Sequence, residues 1–189
     1  MDGLLLKLLD DSCRAPGVSF WKMFLPIHQD LDRLFWCFSS QPWMGPPSKF
    51  EDDEIATESF DGEGNSSVVL WRPGSLSRYA ENFAEEYIQL WGIEPHLDDP
   101  RHIAADYNVA NWRSMGDIPR RYARLWMFYS DSTCWEVFAR KATLLNEIRT
   151  HLLDKPWVKV ISSHIDRRGD AFAAAGLAEC WSGMYGSTG

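Results

Sequence analysis

Apolar positions recur along this chain in two rhythms, one helical and one alternating or continuous. Leu4, Leu5, Leu8 and Leu9 sit at helical spacing and predict a short helix that Arg14 to Gly17 ends. Ile27 to Phe38 predicts a second helix, with Leu31, Leu34, Phe35 and Phe38 on one face. Gln41 to Ser48 holds Pro42, Gly45, Pro46 and Pro47 and reads as a loop, because proline removes a backbone donor and restricts its predecessor. The acidic stretch Glu51 to Glu54 follows as part of an acidic loop, and Asp61-Gly62-Glu63-Gly64-Asn65 forms a turn. That turn leads into Ser67 to Arg72, whose Val68, Val69, Leu70 and Trp71 suit a buried strand that Pro73-Gly74 stops. Ser75 to Trp91 has the clearest amphipathic pattern: Leu76, Tyr79, Ala80, Phe83, Tyr87 and Leu90 form an apolar stripe, and Arg78, Glu81, Asn82, Glu85, Glu86 and Gln89 a polar one. Ser75 or Ser77 can cap that helix and Gly92 can close it.

Beyond Asp98 the pattern is irregular as far as Arg121, with Pro100, Gly116 and Pro119 as breaks. Leu125 to Tyr129 and Cys134 to Phe138 are β-prone runs flanking Ser130-Asp131-Ser132-Thr133, which fits an antiparallel hairpin. Arg140 to Leu153 predicts a helix through Leu144, Leu145, Ile148 and Leu152, and Trp157 to Ser163 a last strand. Strands and helices mix without regular βαβ alternation, so the expected class is α+β: a single domain over residues 1–189, mainly antiparallel sheet, with helices packed on one face. The 189 residues suit one unit at roughly 150 residues per domain. A chain of this size needs neither metal nor disulfide to hold its core.

No apolar run approaches the ~20 residues of a membrane helix. The start, with Asp2 before Leu4 to Leu6 and Asp10-Asp11 after, lacks the basic and apolar regions of a secretory signal, so the expected address is the cytoplasm. Charge changes the picture most. The chain has 27 acids and 19 bases, a net charge of −8. Residues 51–99 alone hold thirteen acids against Arg72 and Arg78, and Glu51 to Gly64 holds seven acids and no base. Such a balance opposes phosphate backbones, which are met with clustered Lys and Arg, so direct nucleic-acid binding is not expected and basic partners are favoured.

Candidate chemistry is sparse. Cys13, Cys37, Cys134 and Cys180 form no Cys-x-x-Cys pair and read as reduced thiols packed as small hydrophobes. His96-Leu97-Asp98-Asp99-Pro100-Arg101-His102 gathers two imidazoles and two carboxylates, ligand types for a metal-dependent hydrolase. The same residues suit a helix-starting turn in which Asp caps backbone donors, and the spacing matches no metal signature. His164-Ile165-Asp166 reads as a surface hydrogen-bonding pair, and Gly62-Glu63-Gly64 is too acidic to cradle phosphate. Arg120-Arg121, Arg124 and Arg167-Arg168 can pair internally with the acidic residues. Of ten tryptophans, most belong in a core, while Trp43 and Trp112 lie in irregular segments and are candidate hot spots. No enzyme and no cofactor are expected.

An acidic, Trp-rich α+β chain with Ser67-Val68-Val69-Leu70-Trp71-Arg72-Pro73, Tyr87-Ile88-Gln89-Leu90-Trp91-Gly92-Ile93 and Cys134-Trp135-Glu136-Val137-Phe138 resembles the immunity proteins of bacterial polymorphic-toxin and type VI or contact-dependent secretion systems. Within that group it looks like those paired with restriction-endonuclease-like nuclease toxins. The resemblance implies stoichiometric neutralisation of a cytoplasm-acting toxin. A nuclease carries a positive cleft for phosphates, and a concentrated negative surface would be steered to it. The expected toxin-binding residues are Asp52, Asp53, Glu54, Glu58, Asp61 and Glu63, then Glu81, Glu85 and Glu86 on one helical face, with Trp43 as an aromatic anchor. Binding away from the cleft, blocking assembly or movement of the toxin, is an equal alternative, as is an acidic adaptor for another basic protein.

Overall fold

Leu4, Leu5 and Leu6 are consecutive and all three are buried, a condition met by a strand covered on both faces, since successive side chains leave a strand on opposite sides. The computed structural model of the chain describes residues 2–39, 54–59, 67–83, 87–94, 123–130 and 133–164. In it Asp2–Leu8 is strand β1, not the helix expected from the leucine spacing. Short apolar runs satisfy both periods, and here pairing with a strand on each side decides. A 3-10 turn, Asp11–Cys13, leads to helix α1, Pro16–Phe24. Arg14 to Gly17 therefore starts a helix where it was expected to end one: Pro16 occupies the first turn, where its missing N–H costs no hydrogen bond.

The second expected helix divides into a 3-10 turn, Leu25–Ile27, a four-residue helix α2, His28–Leu31, and strand β2, Phe35–Ser39. Trp36 Nε1 donates to the Leu31 carbonyl at 2.9 Å, an acceptor it shares with the Leu34 N–H at 3.2 Å, and so ties β2 to the end of α2. Strand β3, Glu54–Ser59, replaces the part of the expected acidic loop that it spans. Strand β4, Ser67–Trp71, and its stop are as expected, with Gly74 at φ +83°, a left-handed turn that glycine adopts without a Cβ penalty.

The clearest sequence pattern misleads most. Helix α3 covers only Ser75–Tyr79, a 3-10 turn follows at Ala80–Asn82, and Tyr87–Ile93 is strand β5. The expected helix that was to carry Glu81 on one face with Glu85 and Glu86 is therefore not continuous, and positions 85 and 86 lie outside the described residues. Tyr87 to Ile93 is rich in aromatic and β-branched residues, and it pairs with β2 on one side and with strand β6, Ala123–Ser130, on the other. The expected hairpin is present as β6 and β7, Cys134–Ala139. Helix α4, Ala142–Leu152, and strand β8, Val158–His164, complete the described elements, both where expected.

The eight strands form one sheet in the order β3-β4-β2-β5-β6-β7-β1-β8, and all seven pairings are antiparallel. The fold is α+β, as expected. Helices α1 and α4 pack on one sheet face, where Phe20, Phe24, Leu145 and Ile148 meet Leu4, Leu6, Trp135 and Val137. On the opposite face a row runs across five strands: Leu70, Cys37, Trp91, Trp126 and Phe138, each directly opposite the next and each buried. Burial pushes the Cys37 thiol up, keeping it protonated. Both faces being buried explains why β7 shows six buried residues in succession and no alternation. Among the described residues no helix is long and apolar enough to cross a membrane.

The turn after β1 carries its own cap. Asp10 Oδ1 accepts from Ser12 N–H at 2.8 Å, and this bond, with the Ser12 hydroxyl and the Lys22 charge, holds the Asp10 carboxyl below its ordinary value. Because the folded-state value is the lower one, the contribution of Asp10 is full above the ordinary aspartate range and is lost as pH falls through the folded-state value. An NMR titration is expected to place the Asp10 midpoint below that of the same residue in the unfolded chain, and in Ser12→Pro, which lacks the N–H, to return it toward the ordinary value.

Candidate functional site

Of the acids expected to bind a partner, the structure describes Glu54 and Glu58, on β3, and Glu81, on the turn after α3. Among the described strands β3 is terminal, paired to β4 with Glu54 opposite Trp71 and Glu58 opposite Val68, and with a register shift between Glu54 and Ala56. Glu54 and Glu58 are four positions apart on this strand, with the register shift between them. Glu81 is exposed on the 3-10 turn after α3. Trp71 joins these two places: its ring lies 4.9 Å from that of Tyr79, two residues before Glu81. The start of β3 and the Glu81 turn therefore flank one aromatic pair.

This corner is of mixed sign. Arg72 and Arg78 are both exposed there, and the Arg78 guanidinium lies 5.8 Å from the Tyr79 ring centre. These are the only two bases of residues 51–99, so the negative excess of the segment comes from its thirteen acids. Asp52, Asp53, Asp61, Glu63, Glu85, Glu86 and Trp43 lie outside the described residues, as do His96, Asp98, Asp99 and His102 and the hot-spot candidate Trp112. Among the described residues no group of three or more His, Cys, Asp or Glu is placed to hold a metal ion.

Trp36, Trp71, Trp91, Trp126 and Trp135 are buried, in keeping with a structural reading of most tryptophans. Trp91 does this from within β5 and not from a helix end. Cys13, Cys37 and Cys134 are buried, and none of the three is in a disulfide.

Two constellations escaped sequence reasoning. At the end of the sheet where β5 finishes and β6 begins, Arg124 reaches Glu94 at 2.7 Å and Asp30 at 3.3 Å, with 18% of its side chain exposed. The internal pairing expected of Arg124 with the acidic segment is realised at Glu94. Asp30 joins from α2, ninety-four residues away, a separation no local pattern reveals. Arg140 closes the same end by donating from Nε to the Ala123 carbonyl at 2.8 Å. With both carboxylates on it, the Arg124 charge is used in holding α2, β5 and β6 together. The second constellation is a contact between Lys22 and Cys13 at 3.1 Å.

No family model matches the chain, and no curated protein or solved structure matches it with significance.

Proposed function

We propose that this protein is a stoichiometric inhibitor of a basic protein, standing to it as an immunity protein stands to a nuclease toxin acting in the cytoplasm. The observation that carries the reading is the concentration of thirteen acids against two bases in residues 51–99. That many like charges repel one another and cost stability in the isolated chain, a cost that an oppositely charged partner removes. Support comes from Glu54 and Glu58 lying on the strand that is terminal among those described and from Glu81 being exposed across the Trp71–Tyr79 pair. A nuclease has to present positive charge to its substrate, so an acidic inhibitor arrives fast and competes where phosphates would bind.

The experiment begins with capture of partners by the tagged full chain from its native host. The expected result is a basic protein in a 1:1 complex whose toxicity disappears on addition of one equivalent of this chain. Its association rate is expected to fall about 10–10³-fold between low and high salt. Reversing Asp52, Asp53, Glu54 and Glu58 to lysine together is expected to slow association at low salt to the high-salt rate. A quadruple variant that associates as fast as the wild type at every salt concentration would overturn the acidic-surface reading.

A further inference from the structure

Lys22, in the last turn of α1, places its Nζ 3.1 Å from Sγ of Cys13 in the 3-10 turn that follows β1. The thiol is only 1% exposed, while Lys22, Ser12 and Arg14 around it are exposed. The amine is held from several sides. The Trp157 ring centre lies 5.6 Å from Nζ. His151 Nε2 donates to the Lys22 carbonyl at 2.9 Å, fixing the backbone from which the side chain extends. The Asp10 carboxylate, capped by Ser12 N–H, is close enough to feel the Lys22 charge. The Ser12 hydroxyl lies 3.9 Å from the same sulfur.

A lysine nitrogen resting on a thiol sulfur has a chemistry that a buried thiol alone lacks. Reacting atoms about 3–3.5 Å apart are already at near-attack range. One oxygen atom can be set between nitrogen and sulfur with little movement of either element, whereas a direct S–N bond would have to draw the turn and the helix together. Oxidised cysteine sulfur is known to be captured by a nearby nitrogen.

We propose that Cys13 and Lys22 are a modification site at which dioxygen installs a covalent S–O–N bridge. Lys22 reacts as the neutral amine after releasing its proton to solvent. The S–H bond and one N–H bond break, an S–O and an O–N bond form, and the second oxygen atom leaves as water with both hydrogens. Sulfur and nitrogen each give up two electrons, and dioxygen takes all four. Thiol reductants reverse the step by returning four electrons, regenerating the thiol and the amine with loss of one more water. The bridge ties the turn after β1 to α1, the helix whose other face carries Phe20 and Phe24 into the core. It is independent of whether a partner binds the acidic segment.

The test uses the purified full chain, held in air or under nitrogen, with intact mass read before and after a thiol reductant. The expected result in air is a gain of about 14 Da, one oxygen in and two hydrogens out, that the reductant removes. Tryptic mapping is expected to show peptide 8–14 joined to peptide 15–33, with cleavage after Lys22 blocked. Cys13→Ser and Lys22→Arg are each expected to abolish the gain. An unchanged mass in air overturns the proposal. So do gains of about 16 or 32 Da confined to peptide 8–14, which would be ordinary sulfur oxidation. The peptide map is made on the wild-type chain, so the result stands whether or not either variant folds.

Discussion

Trp135→Ala is expected to destabilise the fold by about 3–5 kcal/mol, the range for removing a fully buried large aromatic side chain. Trp135 is 0% exposed and lies where α1 meets the sheet. Its ring is 5.6 Å from Phe20, 5.5 Å from Phe24 and 4.9 Å from Tyr129, so three aromatic neighbours lose a partner at once. Its Nε1 also donates to the Ser19 hydroxyl at 2.8 Å, and Ser19 in turn donates to the Pro16 carbonyl at 3.1 Å. Alanine leaves a cavity and a buried hydroxyl short of one bond, and both effects act in the same direction. For a chain of this length each 1 kcal/mol shifts Tm by roughly 2–4 °C, so a fall of about 10 °C is expected in calorimetry. Trp135→Phe keeps most of the ring contacts and loses the Ser19 bond, and is expected to cost less than half as much. A loss under about 1 kcal/mol for the alanine variant would contradict this placement of the core.

Gly17→Ala is expected to destabilise, although glycine to alanine in a helix commonly stabilises by about 0.4–1 kcal/mol. Two effects oppose each other here, and their sizes decide the sign. A Cβ on Gly17 would stand 2.7 Å from the Glu81 carbonyl oxygen and 2.8 Å from that of Ala80. These are backbone atoms of the 3-10 turn and cannot swing aside as a side chain could. Forcing α1 off that turn costs roughly 1–3 kcal/mol, as overpacking of a close contact does. The gain is small because Gly17 is only the second residue of α1. Urea unfolding is the measurement, and a midpoint higher than wild type would show that the turn yields. The same contact bears on Glu81, so a variant that remains folded but binds the proposed basic partner more slowly would tie that turn to recognition.

The parts of the fold that were legible in the sequence are those whose signal is local. The β6–β7 hairpin announced itself through the polar turn at Ser130 to Thr133, α4 through four apolar positions at helical spacing, and β4 through its Pro73-Gly74 stop. Where signals failed, pairing at a distance overrode a plausible local period. β1 takes its partners from residues 134–164, and its leucines show no alternation because both faces are covered. The apolar stripe from Leu76 to Leu90 fits a helix as well as it does because Ile88 and Leu90 on one sheet face and Trp91 and Ile93 on the other are all buried. Hydrogen bonding to β2 and β6 made the difference. Of the candidate site, the existence of an acidic segment was plain from counting. Its geometry was not, because the expected carboxylate face depended on a helix that ends at Asn82. The ion pairs of Arg124 and the contact of Lys22 with Cys13 join separate elements and leave no mark in composition.

The position of β1 between β7 and β8 sets a timetable for the chain during its synthesis. β1 emerges from the ribosome more than a hundred residues ahead of either neighbour. At about 5–20 residues per second its leucines wait roughly 6–25 s with no strand to pair with. For that interval the nascent protein exposes an apolar, β-prone segment of the sort that chaperones hold and that aggregates when they do not. Slow codons anywhere between β1 and β7 lengthen this window, so the yield of folded protein depends on translation speed across that whole interval.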